Sequence, residues 1–345
     1  MVDAMAIKTE KKQLRRDANY VGYMLIAMLL GQLAVAVLLI IVMTVVMIGG
    51  MVAGSLTEAD LQLSMEDLLQ QWLNPIGYQF FNMLQYVLSI AVPTVLVALA
   101  AALFTRRTTS PFPTRRAPRG IYPIAIFGGM AVSAVANVAA DYVMSFFSLF
   151  GVSEPQMPNA YDPSVINLLL NIVATAVLPA LIEEMVMRGF VLGALRPHGD
   201  KMAIVITAVL FGLIHGNVLQ LPFAFILGIM LGWLTVQTGS IWPAVVFHFT
   251  NNATSVLLSW LEQFTDQDDA ITTILFLACC VIGTTAFLSA FLRRGRLGED
   301  LLKPIGNGTA CLSVKQRFGT MLTAPAFLIG VILWVLMLLL MTVLL

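Results

Sequence analysis

The feature that most constrains this chain is its succession of long apolar runs divided by short polar connectors. We read such runs near residues 20–52, 77–104, 121–150, 165–195, 201–214, 219–237, 241–261, 270–292 and 320–344. A run of about 20 residues crosses about 30 Å of hydrocarbon at about 1.5 Å per residue. Inside a bilayer only helices and closed barrels satisfy their own backbone polar groups, and apolar runs without alternation read as helices. Composition agrees, with 59% hydrophobic residues, 11% charged residues and a mean hydropathy of +0.89, where soluble domains carry about a quarter charged residues. The expected fold is all-α: a polytopic membrane helix bundle of about nine transmembrane helices, forming one membrane domain over 20–345 behind an N-terminal segment 1–19. Its surroundings are the lipid bilayer, and nothing in it suits nucleic acid.

The net charge of zero conceals an asymmetry. Segments 1–19, 105–120, 196–201 and 293–317 hold every Lys and Arg except Arg188, whereas the alternate segments 53–76, 151–164 and 262–269 hold none and are acidic. The positive-inside rule therefore predicts a cytoplasmic N-terminus and an outer C-terminus, which needs an odd number of spans. Lys8, Lys11, Lys12, Arg15 and Arg16 precede a run too long for a signal-peptide core, so the first helix is expected to stay in the membrane. Short loops without a targeting segment favour a bacterial plasma membrane. Cys279, Cys280 and Cys311 suggest no disulfide framework, and the C-terminus carries no prenylation box of its own. Leu56 to Trp72 reads as a short helix on the outer interface, and Gly228-x-x-x-Gly232 as a close helix contact within the bundle.

Against this apolar background, Glu183, Glu184 and Arg188 lie inside the run 165–195. An ionisable side chain at membrane depth costs about 2.5–3.5 kcal/mol on insertion scales and by default marks function. Residues four apart share a helix face, so Glu184 is expected to pair with Arg188 while Glu183 points elsewhere. Two carboxylates in different surroundings acquire different roles. Of three histidines, His215 and His248 fall in or at the ends of apolar runs, one turn from Phe211 and Asn252 respectively. Glu, His, His and Asn supply a base, proton relays and hydrogen-bond donors, the set that hydrolysis of an amide by activated water requires. The same atoms also suit a divalent metal such as zinc, although the H-E-x-x-H spacing is absent. Asp141, at similar apparent depth, is expected to be structural, to line the cavity or to pair with Arg188.

Glu183-Glu184-Met-Val-Met-Arg188, Phe211-Gly-Leu-Ile-His215 and His248-Phe-Thr-Asn-Asn252 resemble the E-E-x-x-x-R, F-x-x-x-H and H-x-x-x-N motifs of the CAAX protease and bacteriocin-processing family, which includes the type II prenyl-protein endopeptidases. The resemblance covers about 180–255, within an expected catalytic core of about 165–262. It implies a glutamate-dependent or metal-assisted intramembrane endopeptidase acting on a membrane-associated or lipidated protein or peptide. By motif, Glu183 would activate water with help from His215, Glu184 and Arg188 would tune the site, and His248 and Asn252 would stabilise the oxyanion. Alternatives are a non-enzymatic scaffold or bacteriocin-immunity protein using the same cavity, and a proton-coupled transporter. Counting rises along the runs places His215 near the outer end of its span, away from Glu183 and His248, so that span must be tilted, sunken or broken.

Overall fold

The computed structural model describes residues 4–53, 65–73, 75–93, 96, 113, 115–149, 151, 164–264, 270–292 and 311–344. The acidic residues at 58, 60, 154, 162, 266, 268 and 269, most of the connectors 105–112 and 293–310, and the outer segment 56–64 lie outside them. Among the described residues there is no strand. The helices are α1 (Ala4–Val52), α2 (Met65–Trp72), α3 (Pro75–Tyr86), α4 (Gly129–Ser148), α5 (Val165–His198), α6 (Asp200–Leu213), α7 (Gln220–Thr238), α8 (Trp242–Glu262), α9 (Ala270–Leu292), α10 (Val314–Leu322) and α11 (Pro325–Leu344). Each apolar run of the sequence is thus helical where it is described. By length and composition α1, α5, α7 and α11 are able to cross a membrane.

The basic segment 1–19 does not stand apart, because helix α1 begins at Ala4 and runs 49 residues without a break. Its Ala, Glu, Lys, Gln and Arg residues are strong helix formers and extend the apolar helix into the polar region. Leu14, Asp17, Ala18, Val21, Met24 and Leu25 of this early half are buried. They pack against α11, where Trp334 Nε1 donates to the Leu25 carbonyl at 2.9 Å and Ala326 N donates to Asn19 Oδ1 at 2.9 Å. Gly22 is required at this crossing, since a Cβ there would sit 2.1 Å from the Ala326 carbonyl carbon. Before α11, Ser313 and Gln316 close a capping box on α10, which satisfies two orphan backbone donors at once.

The helices that frame the site pack in sequence order: α6 on α7, α7 on α4 and α8, and α8 on α5. The α6–α7 contact is tight because a Cβ on Gly228 would lie 2.9 Å from Ala208 Cα, and one on Gly232 would lie 3.3 Å from Ile204 Cγ2. The G-x-x-x-G pair is therefore a packing device inside the bundle, as expected.

Candidate active site

Helix α5 carries both glutamates and is not a regular α-helix. Its backbone loosens into π-helical turns at Ile172–Val177 and Met185–Val191, flanking the α-helical turn Leu178–Glu184. Such turns are rare and concentrate at functional sites. Pro179 opens the intervening turn and lacks an N–H, so the Thr175 carbonyl four residues earlier has no helical donor from it. Asn252 of α8 supplies one instead, with Nδ2 2.9 Å from the Thr175 oxygen. Asn252 Oδ1 in turn accepts from Asn251 Nδ2 at 3.0 Å.

Glu184 and Arg188 form the centre. Both side chains are fully buried, and Arg188 Nη1 donates to Glu184 Oε1 at 3.0 Å across one turn. Arg188 Nη2 reaches the Gly228 carbonyl at 3.4 Å, and the guanidinium lies over the Phe211 ring with its carbon 4.4 Å from the centroid. A desolvated cation over an aromatic face gains about 2 kcal/mol or more, which offsets part of the burial cost of the charge. The absence of a side chain at Gly228 lets α7 approach α6 closely at the same residue that offers Arg188 this carbonyl.

His248 of α8 completes the cluster, with Nδ1 2.9 Å from Glu184 Oε1. A carboxylate paired with arginine only accepts, so the Nδ1 position carries the proton and Nε2 faces away from Glu184. The ring is edge-on to Phe211 at 5.8 Å between centroids, and His215 is edge-on to the same ring at 4.9 Å. Phe211 is thus a shared platform under Arg188 and between the two histidines. His215 donates from Nδ1 to the Phe211 carbonyl at 2.6 Å, which leaves Nε2 as an acceptor, and the residue is exposed.

The fifth run forms helix α6 of 14 residues, about 21 Å at about 1.5 Å per residue, against about 30 Å for a full crossing. It stops at Leu213, and the chain turns at Gly216 with φ 63°. His215 sits on that turn, edge-on to the Phe211 ring that also touches His248.

Glu183 faces the other way, as its one-residue offset requires. Its Oε1 accepts from the Tyr86 phenol of α3 at 3.0 Å, while its Oε2, like that of Glu184, is buried with no hydrogen-bond partner among the described residues. The sequence reading did not single out Tyr86. Its only sequence signal was a tyrosine within an apolar run, and the contact spans 97 positions of chain. One offered pairing is not realised: Arg188 spends its bonds on Glu184 and Gly228, whereas Asp141 is exposed on α4. Among the described residues no three His, Cys, Asp or Glu side chains converge as a metal-binding group. Glu184 Oε1 and His248 Nδ1 are committed to each other.

Residues 165–254 match the family model described as type II CAAX prenyl endopeptidase Rce1-like. This segment is similar to the CAAX protease family. The match contains all six motif residues and the whole Glu184–Arg188–His248 cluster, while Tyr86 lies outside it. Members of this family are membrane proteases, and the apolar helices of this chain agree with that setting. No curated protein and no solved structure matched the chain.

Proposed function

We propose that this protein is an intramembrane endopeptidase in which Glu183 activates water for attack on a peptide bond of a membrane-associated or lipidated substrate. The observation that carries the reading is the division of labour between the two glutamates. Glu184 Oε1 is held by the Arg188 guanidinium and the His248 ring, Glu183 Oε1 by the Tyr86 phenol, and Oε2 of each is buried without a hydrogen-bond partner among the described residues. A carboxylate paired with two basic side chains beside one held by a neutral phenol suits a structural anchor next to a general base.

In the proposed reaction Glu183 Oε2 takes a proton from water as the water oxygen attacks the carbonyl carbon. His215 Nε2 accepts the water's other hydrogen and orients it. The carbonyl oxygen becomes an oxyanion, which His248 and the second amide N–H of Asn252 stabilise. To donate from Nε2, His248 must carry both ring protons, and Glu184 balances that charge. The C–N bond then breaks, and Glu183 returns its proton to the leaving amine. No step is routed through a metal.

Nine crossings, a cytoplasmic N-terminus and a bacterial plasma membrane complete the proposal. Apolar helix faces around the site would admit the substrate from the bilayer, so the candidates are a prenylated C-terminus and a bacterial membrane peptide. In a bacterium, prenylated proteins are the less suitable of the two. The family match over 165–254 favours the peptidase over a scaffold or transporter. The test is cleavage of fluorogenic peptides, one prenylated and one bearing a transmembrane anchor, by the full chain in lipid nanodiscs. Turnover by the wild type and none by Glu183→Gln is the expected result. Equal turnover by both would refute Glu183 as the base.

A further inference from the structure

The mechanism above uses Glu183 Oε2 and leaves open what fixes the carboxylate. The terminal torsion of a glutamate is broad and roughly two-fold, so an untethered carboxylate presents either oxygen over a wide range of angles. A misplacement of about 1 Å in a reacting group costs about 100-fold in rate. Among the described residues the Glu183 carboxylate receives its hydrogen bond from the Tyr86 hydroxyl, at 3.0 Å to Oε1.

Tyr86 is delivered by a well-supported element. It ends α3, whose first turns pack along the start of α5, and it is followed by a π-helical turn, Val87–Ala91, that packs on α1. Ser89 Oγ donates to the Gln85 carbonyl at 2.6 Å within this loosened stretch. Just beyond, Pro93 lies so close to α1 that a Cβ on Gly31 would sit 2.3 Å from its Cγ. The phenol is therefore carried by a helix end wedged between α1 and α5, and its reach to Glu183 is set by that packing. Motif comparison has no means to find it, because residue 86 lies outside the matched span 165–254.

We infer that Tyr86 is a positioning residue for Glu183: by holding Oε1 it orients Oε2 toward the attacking water. The inference rests on the proposed peptidase function. It makes α3 part of the working site and ties that site to the packing of Val87–Ala91 on α1.

The test uses the full chain in nanodiscs with the two fluorogenic peptides. Tyr86→Phe keeps the ring and removes the donor. We expect kcat to fall about 10–100-fold, with KM within about twofold and an unchanged amount of folded protein. Unchanged kcat in Tyr86→Phe, with Glu183→Gln inactive, overturns the positioning role and leaves the peptidase reading intact. If Glu183→Gln and the wild type behave alike, the failure belongs to the peptidase reading. An independent arm covers that case and poor folding of Tyr86→Phe: the infrared difference between wild type and Glu183→Gln, each with isotope-labelled tyrosine. A displaced tyrosine C–O band supports the bond to Glu183, and a tyrosine-silent difference spectrum overturns it.

Discussion

Replacing Arg188 by Met tests how the buried cluster is held. Methionine fills much of the same space but leaves Glu184, fully buried, with His248 as its remaining partner among the described residues. Breaking a buried pair by removing one member costs about 3–5 kcal/mol, because the other charge stays desolvated. The Gly228 carbonyl also loses its contact with the guanidinium, although that bond is long at 3.4 Å and adds little. At about 1.4 kcal/mol per tenfold, the folded-to-unfolded ratio should fall by roughly 100-fold to several thousand-fold. Replacing both charges, as Glu184→Gln with Arg188→Met, removes the stranded carboxylate, and such double replacements are often close to neutral. The double variant should therefore be more stable than Arg188→Met alone, with a coupling energy of about 1–3 kcal/mol in the cycle. Reversible unfolding in mixed micelles, followed by tryptophan fluorescence, measures all four corners. Additive losses, with coupling below about 0.5 kcal/mol, would refute the claim that the two charges are energetically one unit.

Three further outcomes follow from particular contacts. Asn252→Ala strips the donor from the Thr175 carbonyl and should cost about 0.5–1.5 kcal/mol, and adding Pro179→Ala, which restores a backbone N–H, should recover part of it; thermal melting in detergent reads both. Gly228→Val places a Cβ 2.9 Å from Ala208 Cα, so it should separate α6 from α7, lower stability by about 1–3 kcal/mol and reduce peptide cleavage, measured on the same preparations. Asp17→Ala removes the partner of buried His198, whose Nε2 is 3.0 Å from Asp17 Oδ2, and should loosen α1 from the end of α5 at a cost of about 1–3 kcal/mol, seen as faster hydrogen exchange in the first turns of α1.

The parts of this site that were legible in the sequence are those governed by local periodicity. The offset of four between Glu184 and Arg188 survives in the structure as a 3.0 Å pair, even though a π-helical turn begins between them. The offset of one between the glutamates sends Glu183 to a different helix, as the turn angle requires. Helix formation in each described apolar run followed equally from hydropathy. What periodicity does not carry is the choice of distant partners. Tyr86 meets Glu183, Gly228 meets Arg188, and Asn252 meets Thr175 only because α3, α7 and α8 are docked on α5. The Thr175 carbonyl, which Pro179 leaves without its N–H, is answered by Asn252, a partner that packing sets. Hydropathy marks the apolar run from about residue 20, whereas helix propensity sets where α1 begins, at Ala4. Rise counting set His215 apart from His248, and only the docking of α6 on its neighbours shows the Phe211 ring edge-on to both.

The most direct test of the central claim compares protein termini by mass spectrometry in membranes of cells expressing the wild type or Glu183→Gln at equal levels. The account predicts new termini that appear only with the wild type, cut from membrane-associated proteins. Identical termini from the two, with both proteins folded and equally abundant, would contradict it.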